Sequence, residues 1–241
     1  MRQLIKDALA SAGMLQLARH PARHLARLAG LDKKLVACYL MKQGSRKLHI
    51  GCGLNALPGW LNSDYYPAST EVAHLDATRP FPFKDETFDF IFSEHMIEHI
   101  PYPAGCDMLR ECFRVLKPGG VARISTPDLN FLIELYGSKT ELQREYIEWS
   151  KQSFIPWAAQ ANDTFVINNF VRDWGHCFIY DEKTLRQAMK EAGFSNIERC
   201  KIQLSRNTEL QDLENERRMP LGFLKLETLT MEGTRSHDVA N

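Results

Sequence analysis

This sequence predicts an α/β fold built on a parallel sheet, and three observations predict it. A short apolar run over 46–51 ends in Gly51-Cys52-Gly53, a strand followed by a turn where any Cβ would obstruct a ligand. Strand-like and helix-like segments then alternate through most of the chain, the pattern of βα units. The next two strand-like runs each end in a carboxylate, Asp64 and Asp76. Acids at strand ends collect at the ligand edge of such sheets.

The elements follow in order. Strands are expected at about 46–51, 60–64, 72–76, 88–93, 120–125, 197–204 and 223–231. Residues 3–29 carry apolar positions at helical spacing, broken by Gly13 and Pro21, and a further short helix is expected over 33–41. A strong helix is expected over 104–116, stopped by Lys117-Pro118-Gly119-Gly120. Another runs from Asp181, as N-cap, to Gly193, as C-cap. Between them 128–172 is aromatic and largely helical, which suits a cap inserted over the active edge of the sheet. The organisation is then a helical extension, 1–45, and one α/β domain, 46–241.

The chain has 241 residues, 44% of them hydrophobic, enough for a sizeable core. Its 30 basic and 30 acidic residues balance, yet unevenly along the sequence. Residues 1–47 hold ten Lys or Arg against two acids, so the α/β domain is acidic. An acidic domain argues against a broad grip on nucleic acid. Six cysteines show no C-x-x-C pair and no zinc spacing; Cys52, Cys112 and Cys200 sit in apolar patterns as small core residues. A reducing cytoplasm is the simplest home. No apolar run is long enough to span a bilayer, and Met1-Arg2 opens a charged stretch rather than a secretory leader.

Several residues invite chemistry. Asp64 stands eleven residues after Gly53, nearer than the spacing of about 20 in dinucleotide folds. It suits the two hydroxyls of a ribose, or it caps a turn. Asp76 suits an exocyclic amine, as on adenine, or again a cap. Glu94-His95-Met96-Ile97-Glu98-His99 places two Glu-His pairs four residues apart, on shared helical faces if the run is helical. The H-x-x-E-H pattern within it resembles an inverted zinc-protease motif. The run begins at a strand end and Pro101 cuts it short, so no metal site is expected.

Taken together, Leu48-His49-Ile50-Gly51-Cys52-Gly53, Leu57 through Asp64, Leu75-Asp76-Ala77, Phe88 through His95, Glu98-His99 and Val115-Leu116-Lys117-Pro118-Gly119-Gly120 strongly resemble class I S-adenosylmethionine-dependent methyltransferases. Within these, the chain is similar to bacterial members associated with making surface polysaccharides. The resemblance covers about 46–231 and implies a doubly wound, Rossmann-like sheet of seven strands whose last strand is reversed. It implies S-adenosylmethionine as cofactor, with Gly51, Cys52 and Gly53 against the methionine part and Asp64 on the ribose. Tyr65 joins the cofactor-binding set, Asp76 and Ala77 meet the adenine, and Ser93 with Glu94 border the methionine and acceptor end. Two positions depart from the family pattern: His49 stands where an acid is frequent, and Asn55 where many members have a third glycine.

Methyl transfer asks mainly for alignment and exclusion of water. A hydroxyl acceptor adds a need for a base, and His95 and His176 lead His99 as imidazoles for that role, with Asp173 placed to orient His176. The expected acceptor is a small molecule or a glycan, methylated at oxygen. Nucleic acid is not expected, since no N/D-P-P-Y/F motif follows the fourth strand. Arg19, Arg23 and Arg27 line one face of 1–30, which suits either a solvated face or peripheral contact with the inner face of a membrane. A non-catalytic cofactor-binding relative and a nicotinamide-dependent oxidoreductase are the competing functions.

Overall fold

Apolar side chains on both faces of a short strand require cover on both sides, and the central strands of this protein have it. The computed structural model describes residues 31–137 and 139–236; the expectations placed on 1–30, the arginine stripe included, lie outside them. The strands are β1 (Lys47–Ile50), β2 (Leu61–Asp64), β3 (Ala73–His74), β4 (Phe88–Glu94), β5 (Leu116–Pro127), β6 (Ser195–Cys200) and β7 (Thr228–Thr234). They pair in the order β3-β2-β1-β4-β5-β7-β6. β1 lies parallel to both β2 and β4, with Leu48 opposite Leu61 and Ile91, and Ile50 opposite Ser63 and Ser93. β7 runs antiparallel to β5 and β6, so the last strand is reversed, as the family resemblance implies.

The helices are α1 (Leu31–Leu40), α2 (Tyr102–Val115), α3 (Leu129–Tyr136), α4 (Glu141–Phe154), α5 (Asp163–Arg172), α6 (Glu182–Glu191) and α7 (Phe223–Glu227). Local chemistry sets their ends. Pro101 precedes α2, whose Met108, Leu109, Cys112 and Val115 are buried at helical spacing. Asp181 caps α6 by accepting from the Thr184 N–H at 2.8 Å. Thr140 and Gln143 form a reciprocal capping box at the start of α4. The main core joins β1, β4 and β5 to α2 and α6 through Ile91, Leu109, Ile124 and Met189. A second apolar cluster, with Phe131, Tyr146, Val166, Phe170 and Phe223, binds α3, α4, α5 and α7 together. That layer is tied beyond the carboxyl end of β5, where Asp128 N–H donates to Glu227 O and Leu129 N–H to Tyr180 O.

Several boundaries differ from the sequence expectation, for physical reasons. Residues 223–227 form α7 rather than strand, because Phe223 buries into the cap and the ladder begins only at Thr228. β5 starts at Leu116, and the Pro-Gly-Gly turn is absorbed as an irregularity in its pairing with β4 between Phe88 and Phe90. Residues 201–204 leave the sheet because Arg123 takes their carbonyls: its guanidinium donates to Lys201 O at 3.1 Å and Leu204 O at 2.9 Å. Cys200 is half-buried rather than a core residue, while Cys106 is buried.

Arg123 is fully buried, pairing with Glu214 at 2.7 Å and with Glu232 across the β5–β7 ladder. Glu214 also accepts from Ser125 Oγ and from the Gln203 N–H. One guanidinium therefore clamps the 201–214 segment onto the sheet. Removing it strands two buried carboxylates. Arg123→Ala should lower unfolding stability by about 3–5 kcal/mol, measured from urea midpoints, the scale of a broken buried ion pair. A loss under about 1 kcal/mol would mean that the clamp contributes little.

Candidate active site

The strand order places a topological switch between β1 and β4, where crossovers leave in opposite directions and a crevice opens at the carboxyl ends. The turn after β1 enters it with positive φ at Gly51 (+71°) and Gly53 (+53°). A Cβ on Gly51 would lie 2.3 Å from Met96 Cγ, so glycine is needed there for packing as well as conformation. Cys52 is buried in this turn, and burial pushes its thiol up to about 12, which makes it an inert packing group.

Asp64, at the end of β2, accepts from the Gly53 N–H at 2.9 Å and from the Tyr66 N–H at 2.7 Å. Its carboxylate joins the two strand ends and keeps lone pairs to spare. Tyr65 beside it is exposed and packs edge-on against Tyr66. Asp76 caps its own turn, accepting from the N–H and hydroxyl of Thr78 at 3.0 and 2.6 Å; Ala77 next to it is half-buried. Two buried polar atoms at the crevice have no hydrogen-bond partner: Ser93 Oγ near the end of β4, and Asn55 Nδ2 in the glycine turn. An orphaned buried polar group costs about 1–3 kcal/mol, and a polar ligand relieves it. The turn and these groups therefore fit a polar cofactor.

The two family departures have distinct fates. Asn55 supplies one of those orphaned donors. His49 is buried against Phe92 and Trp60 and donates from Nδ1 to Asn62 Oδ1 at 3.1 Å. Burial lowers its pKa to about 4, so it is a neutral packing residue rather than a substitute for the missing acid.

Next to the crevice, beyond β4 and β5, lies a cavity of about 260 Å³. His95, Glu98, His99 and His176 form its polar wall, and Tyr146, Trp149, Phe154, Phe170 and Trp174 its aromatic one. Arg218 and Glu227 also line it, with Pro127 and Met219. The run from Glu94 is not a helix: Glu94 ends β4, His95 turns with φ +47°, and only Ile97–His99 is helical, as a single 3-10 turn. The shared helical faces expected for the two Glu-His pairs are therefore absent. His95 pairs through Nε2 with Thr228 Oγ1 at 3.0 Å, and burial, with Arg218 adding, lowers its pKa to about 3. That neutral imidazole lines the cavity where the sequence places a candidate base. Glu94 also has less freedom than expected, because its carboxylate accepts from the Asn215 N–H at 3.0 Å and burial raises its pKa.

His176 is oriented by the Phe170 carbonyl, 2.6 Å from its Nδ1, and not by Asp173, whose carboxylate accepts from Asn169 Nδ2. Its ring meets that of His99 at 4.9 Å between centroids. Glu98 is fully buried, with Oε2 accepting from Thr126 Oγ1 at 3.0 Å, and burial raises its pKa. Glu227, also raised by burial, accepts from the Tyr146 hydroxyl. Sequence reasoning missed Glu227, Arg218 and Tyr146, since their approach depends on α4 and α7 folding over the sheet.

The family model described as a methyltransferase domain matches residues 21–199. The sterol 24-C-methyltransferase of Schizosaccharomyces pombe is 33% identical over 34% of this chain and 27% of that protein. The cycloartenol-C-24-methyltransferase 1 of Oryza sativa subsp. japonica is 30% identical over 33% of this chain and 29% of that one. The matched stretch spans less than a third of either curated relative. Among solved structures, a methyltransferase of Thermotoga maritima described as a possible histamine N-methyltransferase is similar over 92% of this chain and 99% of that one, at 18% identity and a TM-score of 0.46.

His49 carries a pH prediction. Its folded pKa of about 4 lies below the unfolded value near 6.5, so the unfolded chain binds the extra proton as pH falls. The stability it contributes is complete above about pH 6.5 and is lost on descent toward pH 4. Between pH 8 and pH 5 the wild type should lose about 2 kcal/mol more than His49→Gln, read from denaturant midpoints. Equal losses would show that the imidazole titrates as if solvated.

Proposed function

The chain belongs to the family of methyltransferase domains, and we infer that it transfers a methyl group from S-adenosylmethionine to a hydroxyl oxygen of an acceptor seated in the aromatic cavity. The observation that carries this reading is the adjacency of two sites. A glycine turn with strand-end carboxylates lies at the ends of β1 and β2, and the cavity opens next to it at the ends of β4 and β5. When bound, the cofactor supplies an electrophilic methyl group on a sulfonium. Gly51, Cys52 and Gly53 offer backbone to its methionine part, Asp64 and Tyr65 flank its ribose, and Asp76 with Ala77 borders its adenine. Ser93 Oγ and Asn55 Nδ2 are the free polar atoms on that path, and Glu94 holds the neighbouring loop through Asn215.

The residues of the cavity supply alignment. Its aromatic side chains fix the acceptor, and orientation of this kind is worth about 7–11 kcal/mol of barrier. The acceptor proton leaves at the wall of Glu98, His99 and His176, an assistance of about 10²–10⁴-fold. Of the two imidazoles nominated from sequence, His176 suits that wall, while neutral His95 holds position through Thr228.

At about 260 Å³ the cavity is at the small end of ligand pockets, which run to about 300–1,000 Å³. That size suits a compact molecule or the terminal unit of a glycan as the acceptor. A precursor of a surface polysaccharide is the glycan form of that acceptor. No helix among the described residues is long and apolar enough to cross a membrane.

Calorimetric titration with S-adenosylhomocysteine tests the cofactor half. Asp64→Ala should weaken binding at least about tenfold, the scale of a lost charge-assisted hydrogen bond. Unchanged affinity removes Asp64 from the site. Release of S-adenosylhomocysteine in the presence of hydroxylic acceptors, and not of amines, tests the other half. Tight binding without turnover on either class would make the chain a non-catalytic relative.

A further inference from the structure

We propose that Glu98, His99 and His176 bind a divalent first-row transition metal ion, such as zinc, on the wall of the cavity. One ligand atom from each of the three lies within 4.8 Å of the other two. Two imidazoles and a carboxylate form a donor set of intermediate softness, which favours zinc, iron, cobalt or nickel over magnesium or calcium.

An independent observation points the same way. Glu98 is fully buried and its Oε1 has no hydrogen-bond partner, although Oε2 is held by Thr126. That oxygen makes no hydrogen bond and stands between two imidazoles, 3.4 Å from His95 Nδ1 and 3.9 Å from His99 Nε2. The other ring also shows a ligand's arrangement: His176 Nδ1 donates to Phe170 O, which fixes the tautomer and leaves Nε2 with its lone pair. The two segments that bring the ligands are laced by backbone bonds, with the Cys177 and Phe178 N–H groups both donating to Glu98 O at 2.7 and 3.1 Å. Around an ion at 2.0–2.1 Å, ligand atoms sit about 3.3 Å apart. The gap closes by rotation of His99, whose side chain is 38% exposed.

The H-x-x-E-H pattern pointed to His95 with His99, but His95 is engaged by Thr228, and the third ligand comes from the far segment that carries His176. A second group with close donors among the described residues, Glu198, Cys200 and Glu232, is a poorer site because Glu232 is already bound by Arg123 and Ser205.

Three protein ligands leave a coordination position open, and the same three residues line the cavity. With an ion bound, the lone pairs of His99 and His176 would be engaged, so an acceptor hydroxyl in that position would be acidified by the ion and would pass its proton to water rather than to either imidazole. This catalytic consequence rests on the function proposed above; the binding itself does not.

Zinc and cobalt(II) titrations of the metal-free full chain, followed by calorimetry and visible absorption, test the site, with S-adenosylhomocysteine titrated into the same samples. We expect one ion per chain, cobalt d–d bands without a thiolate charge-transfer band, and affinity at least about tenfold weaker in both His99→Ala and Glu98→Gln. His99→Ala changes a half-exposed side chain, and Glu98→Gln keeps the shape of a buried one, so both variants keep the fold. Absence of a one-to-one zinc site, indifference to both substitutions, or a thiolate band that places the ion on Cys177 would each overturn the proposal. If S-adenosylhomocysteine binds while zinc does not, the metal site alone falls. If zinc binds and S-adenosylhomocysteine does not, the function falls and the metal site stands.

Discussion

Parallel pairing of β1 with both β2 and β4 is the constraint on which the rest depends. It sends the chain out of the sheet in opposite directions on the two sides of β1, which opens a crevice at the carboxyl ends. It also fixes register, with Ile50 level with Ser63 and Ser93, so that Gly51, Asp64 and Glu94 end at the same height. A shift of one residue would turn every buried side chain of these short strands to the opposite face. Asp64 then closes the arrangement by accepting from the backbone of the glycine turn.

Buried charge shapes the remainder. Arg123 holds the 201–214 segment against the sheet, and the same segment presents Asn215 to Glu94 and leads into Arg218 at the cavity. Glu98 and Glu227 are buried beside the histidines, and burial raises the pKa of both. Carboxylates in such surroundings are costly to maintain for packing alone. Their concentration in one cavity, among aromatic side chains, distinguishes this corner from the hydrocarbon core on which it rests.

Much of the fold was legible in the sequence because it rests on local signals. The β1 run with its glycine turn and the Asp181 cap of α6 each act within a few residues. The boundaries that moved did so through distant partners: β6 yields 201–204 to Arg123, and α7 forms because Phe223 has a cap cluster to enter. In the candidate site, Gly53 and Asp64 meet at neighbouring strand ends, since strand ends are visible in a sequence. The cavity wall was less legible. Whether His95 or His176 keeps a usable lone pair depends on Thr228 and on the Phe170 carbonyl, and neither contact has a signature in the spacing of the histidines.

A crystal structure of the full chain with S-adenosylhomocysteine tests the central claim most directly. The account predicts the ribose on Asp64, the amino-acid part along Gly51–Gly53, and the sulfur facing the cavity bounded by Glu98, His99 and His176. A ligand with its sulfur turned away from that cavity, or a crevice left without ligand at saturating concentration, would contradict it.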